Sequence, residues 1–398
     1  MQLSVVIVSR NRTDALLRAI AGVRQSDHAD LELVVVADPA ACAKVVALGL
    51  PIKVVTFDAP NISAARNAGI AVAGGEVISF LDDDAVPEPT WAARLVAPFA
   101  NDGVHQAGGF VRGRNGISLQ WRAMEVDASG ADHPLDIYEA MLIRGTARRT
   151  VKTQGTNCAF RASILRHIGG FDPAYRFYLD EADLNLRISA LGGRTAIVPD
   201  AQVHHGYAAS ARRRGDRVPT SLFEIGASSA VFLRRHGADN SVWSRLQAEQ
   251  RKRALGHMVA GRIMPGDVGR LMQTLQDGWT DGQSRALGAL EPIAQGTAFL
   301  PLGTCTRPGR ILAGRIWQVR ALQQQAITIT GTHIPTIIAL SPSLHAHKMK
   351  FDSRGFWVQR GGLFGRSDRN TPLVRWTTFA ARVAAETRRI APVRPISD

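Results

Sequence analysis

The sequence predicts an α/β fold in which a mainly parallel central sheet carries helices on both faces, followed by a basic extension containing helices and strands. Three observations carry that prediction. Strand-length apolar runs alternate with helical segments through the first part of the chain. The fourth run, Val77-Ile78-Ser79-Phe80-Leu81, ends directly at Asp82-Asp83-Asp84. From about Ser221 the alternation stops, and the chain becomes strongly basic.

The elements follow in order. Leu3–Val8 is a largely β-branched apolar run, the pattern of a strand buried on both faces. Polar caps at Asn11–Thr13 lead into a helix over Thr13–Gln25, with Leu16, Leu17, Ile20 and Val23 on its apolar side. Leu31–Val36 and Ile52–Phe57 are the next strands, separated by a helix over Ala40–Leu48. Ile62–Ala73 is a helix of small residues, and Glu76–Leu81 is the fourth strand. A helix over Glu88–Phe99 and a strand over Gln106–Arg114 follow. Asp127–Thr150 is polar and weakly periodic, which predicts a loop region with a short helix. Gly155–Phe160, Thr195–Val198 and Gln202–His205 are strand-like, Leu179–Leu191 is an amphipathic helix, and Ser210–Arg217 is a basic loop.

Beyond this point, Leu222–Arg235 and Val242–Leu275 are predicted as helices and Gly296–Gly309 as a linker. Ala326–Leu340 and Phe351–Phe364 are predicted as strands, and Trp376–Arg389 as a terminal helix. The expected organisation is a first domain over residues 1–236 and a basic extension over 237–398.

The net charge is +14, and residues 241–398 supply +13 of it. Such a module suits an anionic membrane surface or a phosphorylated lipid. No zinc-finger, RRM-like or helix-turn-helix signature accompanies the charge, so nucleic acid is not the expected partner. The N-terminus lacks a basic leader, and no apolar stretch reaches membrane-spanning length. The expected location is therefore cytoplasmic, with room for peripheral docking on the inner face of a membrane. Cys42, Cys158 and Cys305 have no metal-binding spacing and are expected to be buried, reduced small residues.

The acidic run carries the chemistry. Ligands of open α/β sheets bind beyond the carboxyl ends of the strands, where Asp82-Asp83-Asp84 stands. Crowded carboxylates suit a hard divalent cation, magnesium or manganese. His204 and His205 are adjacent on a predicted strand and must point to opposite faces, so at most one reaches such a cation.

Seven segments in order resemble the family 2 glycosyltransferases over residues 2–236. They are Ser4–Arg12 (SVVIVSRNR), Asn61–Gly69 (NISAARNAG), Gly74–Asp84 (GGEVISFLDDD) and Gly155–Arg161 (GTNCAFR). Gly169–Asp172 (GGFD), Tyr178–Arg187 (YLDEADLNLR) and Pro199–His205 (PDAQVHH) complete the set. The resemblance implies a GT-A fold, Rossmann-like, and an inverting transfer from a nucleotide diphosphate-sugar to a hydroxyl acceptor. The acceptor would be a glycan or a lipid-linked sugar, in polysaccharide or glycoconjugate assembly.

The resemblance also implies roles. Asp38 would contact the nucleotide base, with helix capping as its competing role. Arg66, Asn67, Asp82 and Asp83 would contact the donor, and Asp84, Asp82 and His205 would hold the metal. The general base would be Glu181, with Asp180 as the alternative, because the usual Glu-Asp order is reversed here. Trp121 and Asp183 are candidates for acceptor contact, although Asp183 could simply pair with Arg187 at i,i+4. Two other functions compete. A sugar nucleotidyltransferase would carry a glycine-rich loop after strand one, where this chain has Ser9-Arg10-Asn11-Arg12. A noncatalytic subunit of a polysaccharide assembly complex would have no need of an intact acidic site.

Overall fold

The computed structural model describes residues 1–206, 212–237 and 241–396. Its first part runs β1 (Leu3–Ser9), α1 (Thr13–Val23), β2 (Leu31–Ala37), α2 (Pro39–Val46), β3 (Ile52–Thr56), α3 (Ile62–Val72) and β4 (Val77–Asp82). Next come β5 (Ala85–Pro87), α4 (Trp91–Val96), β6 (Val104–Arg112), β7 (Leu119–Trp121), β8 (Met124–Asp127), β9 (Asp132–Pro134), β10 (Met141–Arg144) and β11 (Arg149–Val151). Then follow β12 (Cys158–Arg161), α5 (Ala162–His167), α6 (Asp180–Ala190), β13 (Arg194–His205) and α7 (Phe223–His236).

The central sheet has the order β10-β13-β6-β12-β4-β1-β2-β3, with β5 and β7 attached at β13 and β6. All strands on this path except β12 and β10 run the same way. Period-two alternation sorts the core into two layers. Leu3, Val5 and Ile7 pack with Leu33 and Val35 under α1 and α2, whereas Val6, Val34, Val36, Ile78 and Phe80 pack under α3, α5 and α6. Each fully buried Leu, Val or Ile contributes about 1.5–3 kcal/mol through burial, so the β1–β4 half is fixed by its own apolar runs.

Expectation and structure differ in several places. The 127–150 region holds short antiparallel strands and, among the described residues, no helix. β13 is one strand with a register shift between Val198 and Gln202, where two were expected. The basic loop expected at 210–217 begins outside the described residues.

After α7 come α8 (Ser241–Val259) and α9 (Pro265–Ser284), where one helix was expected; Gly261, at φ +67°, and Pro265 separate them. α9 lies close against α7. A Cβ on Gly278 would sit 1.8 Å from the Phe223 carbonyl oxygen, and one on Gly282 would sit 2.2 Å from that of Ala227. Only glycine admits that approach.

An extended segment then crosses the first part of the chain. Leu300 N–H donates to Glu32 Oε1 at 2.7 Å, and Leu302 N–H donates to the Leu31 carbonyl at 2.7 Å. The expected linker is therefore an ordered strap.

The strap ends in a second α/β unit: β14 (Gly309–Arg315), α10 (Val319–Ile329), β15 (Ile334–Ser341), β16 (Lys348–Asp352), β17 (Phe356–Gly362) and α11 (Phe379–Ile390). Its sheet order is β14-β15-β17-β16, parallel except at β16. The strand expected over 326–340 is half helix, because Ala326 and Ile329 complete the apolar side of α10 before the chain turns. Cys42 and Cys158 are buried, but Cys305 on the strap is exposed. No helix among the described residues is long and apolar enough to cross a membrane.

Candidate active site

β4 places the acidic run. Its register with β1 sets Asp82 beside Val8, at the carboxyl edge of the sheet. Asp83 turns inward and is fully buried. It accepts from Ser9 Oγ at 2.7 Å and pairs with Arg12 at 2.5 Å. Burial drives its carboxyl up to about 7, against the pull of Arg12 and Ser9. Asp83 is thus a buried anchor joining β4 to the segment after β1.

β5 then pairs antiparallel with β13, placing Ala85 opposite His205 and Val86 opposite His204. This register brings His205 Nε2 to 3.2 Å from Asp84 and 3.6 Å from Asp82. One ligand atom from each of the three lies within 4.8 Å of the others, close enough for a single ion. Two carboxylates and an imidazole suit manganese or magnesium. Burial, opposed by His205 and reinforced by Asp84, raises Asp82 above its ordinary range. Arg12 stands 3.7 Å from Asp84. The Trp121 ring packs 5.7 Å from that of His205.

The second carboxylate centre is built by α3. Asn61 caps the helix, accepting from Ala64 N–H at 3.0 Å, and its amide donates to the Pro173 carbonyl. Ser63 Oγ donates to the Tyr175 carbonyl at 2.6 Å. Asn67 donates to the Phe171 carbonyl and accepts from Phe171 N–H, at 2.7 and 2.9 Å. The amide of Asn67 is therefore committed to the 171–176 segment, not turned to a nucleotide.

That segment ends in Tyr178 and Leu179, at φ +76° and +63°. Two successive non-glycine residues in the left-handed region are strained, and they set the start of α6. Asp180 and Glu181 fall in its first turn, where the helix dipole favours negative charge.

Arg66 joins the two centres. Its buried guanidinium pairs with Asp180, lies 3.9 Å from Asp82, and rests over the rings of Phe80 and Phe171. A Cβ on Gly155 would sit 2.6 Å from that guanidinium and 3.4 Å from Glu181 Oε1, so glycine leaves room for both. Burial, reinforced by Glu181 and opposed by Arg66, lifts the Asp180 carboxyl well above the carboxylate range. Burial acts the same way on Glu181, but its hydrogen bond with Asp180 and the charges of Arg66 and Lys152 outweigh it and leave Glu181 lowered. The two buried carboxyls are thus pushed in opposite directions, Asp180 up and Glu181 down.

Two other expected residues have structural partners. Asp38 caps α2 by accepting from Ala41 N–H at 3.1 Å, and its other oxygen accepts from Asn11 N–H at 2.8 Å. Asp183 is fully buried and binds Arg187, His236 and the Tyr175 hydroxyl at 2.7, 3.0 and 3.3 Å. It ties α6 to α7 and offers the acceptor nothing. Arg12, in contrast, received no role from the sequence, although it stands within SVVIVSRNR. Its position, one turn after β1 and opposite an acidic run, was the available signal.

Residues 4–169 match the model of Glycosyl transferase family 2. A pre-mycofactocin glycosyltransferase of Mycobacterium tuberculosis is 27% identical over 242 residues, covering 58% of this chain and 48% of the relative. An uncharacterized glycosyltransferase of Nostoc is 30% identical over 191 residues, covering 45% of this chain and 57% of the relative. The chain thus spans about half the length of the curated relatives it matches. The crystal structure of S. aureus TarS 1–349 in complex with UDP aligns at 15% identity and a TM-score of 0.41, covering 71% of this chain and 89% of that one. The match over residues 4–169, with the ordered motifs that the central sheet carries, makes this part of the chain similar to the family 2 glycosyltransferases, and its mainly parallel α/β sheet is the architecture of a GT-A fold.

Proposed function

We propose that the protein is an inverting, metal-dependent glycosyltransferase that moves a sugar from a nucleoside diphosphate-sugar to a hydroxyl acceptor. The observation that carries this reading is the link through Arg66 between the Asp82–Asp84–His205 cluster and the Asp180–Glu181 pair. Donor-side acidity and a candidate base thus stand at two ends of one buried cation. Asp82, Asp84 and His205 would hold manganese or magnesium, which when bound offsets the charge of the leaving diphosphate. Asp38 and Arg66 line the donor side, and Asp83 fixes the acidic turn. Glu181, held low beside Asp180, accepts the proton of the acceptor hydroxyl. The acceptor oxygen forms its bond to the anomeric carbon as the bond to the diphosphate oxygen breaks, and the electron pair leaves with the nucleotide. Trp121, whose ring packs 5.7 Å from that of His205, would cover the acceptor sugar.

The test is a donor screen by thermal shift with manganese, followed by product analysis. Glu181→Gln and Asp180→Asn are then compared at equal donor affinity. Loss of the base is expected to lower turnover by about 10²–10⁴-fold, with the larger loss at Glu181. Full turnover in both variants would remove the base assignment.

The acceptor is proposed to be a glycan or lipid-linked sugar, met on the cytoplasmic side of a membrane. Leu373, Val374 and Trp376 are 66%, 40% and 80% exposed, and Arg375 stands between Val374 and Trp376 in the sequence. An exposed apolar segment carrying an arginine suits an anionic bilayer. Sedimentation with phosphatidylglycerol vesicles, but not with phosphatidylcholine vesicles, is expected. Equal sedimentation with both, or preference for DNA, would reject membrane docking.

A further inference from the structure

We propose that the cleft between β7 and the 368–370 loop of the second α/β unit is a subsite for a neutral sugar of the acceptor, apart from the sugar that reacts. The proposal rests on the glycosyl-transfer reading above and adds to it what the C-terminal part contributes.

The cleft encloses about 320 Å³, within the range of small-ligand sites. One wall comes from the first part of the chain, through Gln120, Arg122 and Asp136. The other comes from the distant end, through Asp368, Arg369 and Asn370. The seam between them is built rather than incidental. Arg369 N–H donates to Ser118 Oγ at 3.0 Å, Asn115 Nδ2 donates to the same oxygen at 3.1 Å, and Met349 N–H donates to the Asn115 carbonyl at 2.7 Å.

The polar groups in the cleft are largely uncommitted. The side chains of Gln120, Asp136, Arg369 and Asn370 make no hydrogen bond or ion pair with the described residues. Asp368 uses one oxygen on Asn370 N–H at 2.9 Å, and Arg122 meets the Tyr138 hydroxyl only at 3.4 Å. Amides, carboxylates and guanidinium groups together can donate to and accept from vicinal hydroxyls. Two arginines face two aspartates, so the formal charge balances. That balance disfavours a phosphate or uronate and suits an uncharged polyhydroxylated ring.

Position completes the argument. Gln120 and Arg122 flank Trp121, whose ring lies 5.7 Å from His205. Successive strand residues alternate in direction, so Gln120 and Trp121 point to opposite sides of β7, and the cleft is separate from the reacting position.

The experiment measures binding of neutral disaccharides (cellobiose, maltose, lactose and chitobiose) to the full chain by saturation-transfer NMR. At least one is expected to bind, and Arg369→Ala and Asp136→Asn are each expected to weaken it about five- to tenfold, the size of one lost hydrogen bond. Arg270→Ala, on exposed α9, serves as the surface control and should leave binding unchanged. Thermal midpoints equal to wild type show that the variants fold. No binding by any of the four sugars, or affinity unchanged in both cleft variants, would overturn the subsite. Donor hydrolysis by the wild type, measured in parallel, keeps the two readings apart. Its absence with every donor would reject glycosyl transfer while the binding result stands. Hydrolysis without disaccharide binding would reject the subsite alone.

Discussion

Two carboxylate–histidine clusters lie back to back on β13. On one face, His205 meets Asp84 and Asp82 at the edge of the sheet. On the other, His204 meets Glu88 at 2.6 Å, and Arg394 clamps both oxygens of Glu88 at 2.7 and 2.9 Å. Arg394 also lies 3.7 Å over the ring of Trp357, so the second cluster is sealed by the C-terminal unit. The residue types are alike, but the charge balance is not. The sealed cluster contains its own cation in direct contact. In the open one, Arg12 is engaged with Asp83 and lies 3.7 Å from Asp84, and Arg66 is engaged with Asp180 and lies 3.9 Å from Asp82. Histidine and carboxylates therefore form a lock where arginine clamps them in the interior, and a candidate metal site where they gather at the edge of the sheet.

The largest expected effect separates activity from stability. Asp84→Ala should lower turnover by about 10³-fold or more, as loss of charge stabilisation at a leaving group does, while the thermal midpoint stays level or rises because like charges are relieved. Turnover that survives unchanged would remove the metal assignment and leave both clusters structural.

Arg394→Met should do the opposite. Stranding Glu88 in the interior is expected to cost about 3–5 kcal/mol in denaturant unfolding. The double change Glu88→Gln with Arg394→Met should cost less than the single one, since no buried charge is then left unpaired. Equal costs would show that Arg394 packs without locking.

A third test asks whether the open cluster takes up a metal ion where the sealed one is filled by the Arg394 guanidinium. Manganese at a hundredfold its dissociation constant should stabilise the wild type by about 2.7 kcal/mol. Asp84→Ala should lose that gain, while Arg394→Met should keep it. Equal stabilisation of the Asp84 variant would place the ion elsewhere.

Much of this contrast was legible in the sequence. The apolar runs of β1 to β4 announce a sheet buried on both faces, and the acidic run begins where one of them ends. Strand periodicity alone separates His204 from His205. The sealing partners were not legible, because Arg394 reaches Glu88 across 306 residues of sequence. The same holds for Asn67 and Asp183. Their motifs are intact, but whether an amide or carboxylate faces a ligand or the core depends on the segment packed against it. In the second α/β unit, Ile327-Thr328-Ile329 reads as strand. Burial of one side of α10 against β14 and β15 overrides that local preference. The β7–368 cleft, built from both ends of the chain, leaves no local pattern at all.

The smallest effect concerns acid. Burial alone would raise Glu88, but Arg394 and His204 outweigh it, so its folded-state pKa lies below the ordinary 4.5. Below that value the unfolded chain takes up a proton that the native carboxylate refuses. The unfolded state then binds more protons, so stability falls as the pH drops toward the folded-state pKa. Each such group contributes a slope of at most about 1.4 kcal/mol per pH unit. Asp183 and Glu386 are also held low, and they steepen the acid limb of any variant. The difference between wild type and Glu88→Gln isolates the one carboxylate. At neutral pH the variant should be the less stable, and the gap should close as the pH falls below 4.5. Stability curves that stay parallel through that range would mean Glu88 gains nothing from its partners, and the sealed cluster would then differ from the open one in burial but not in charge.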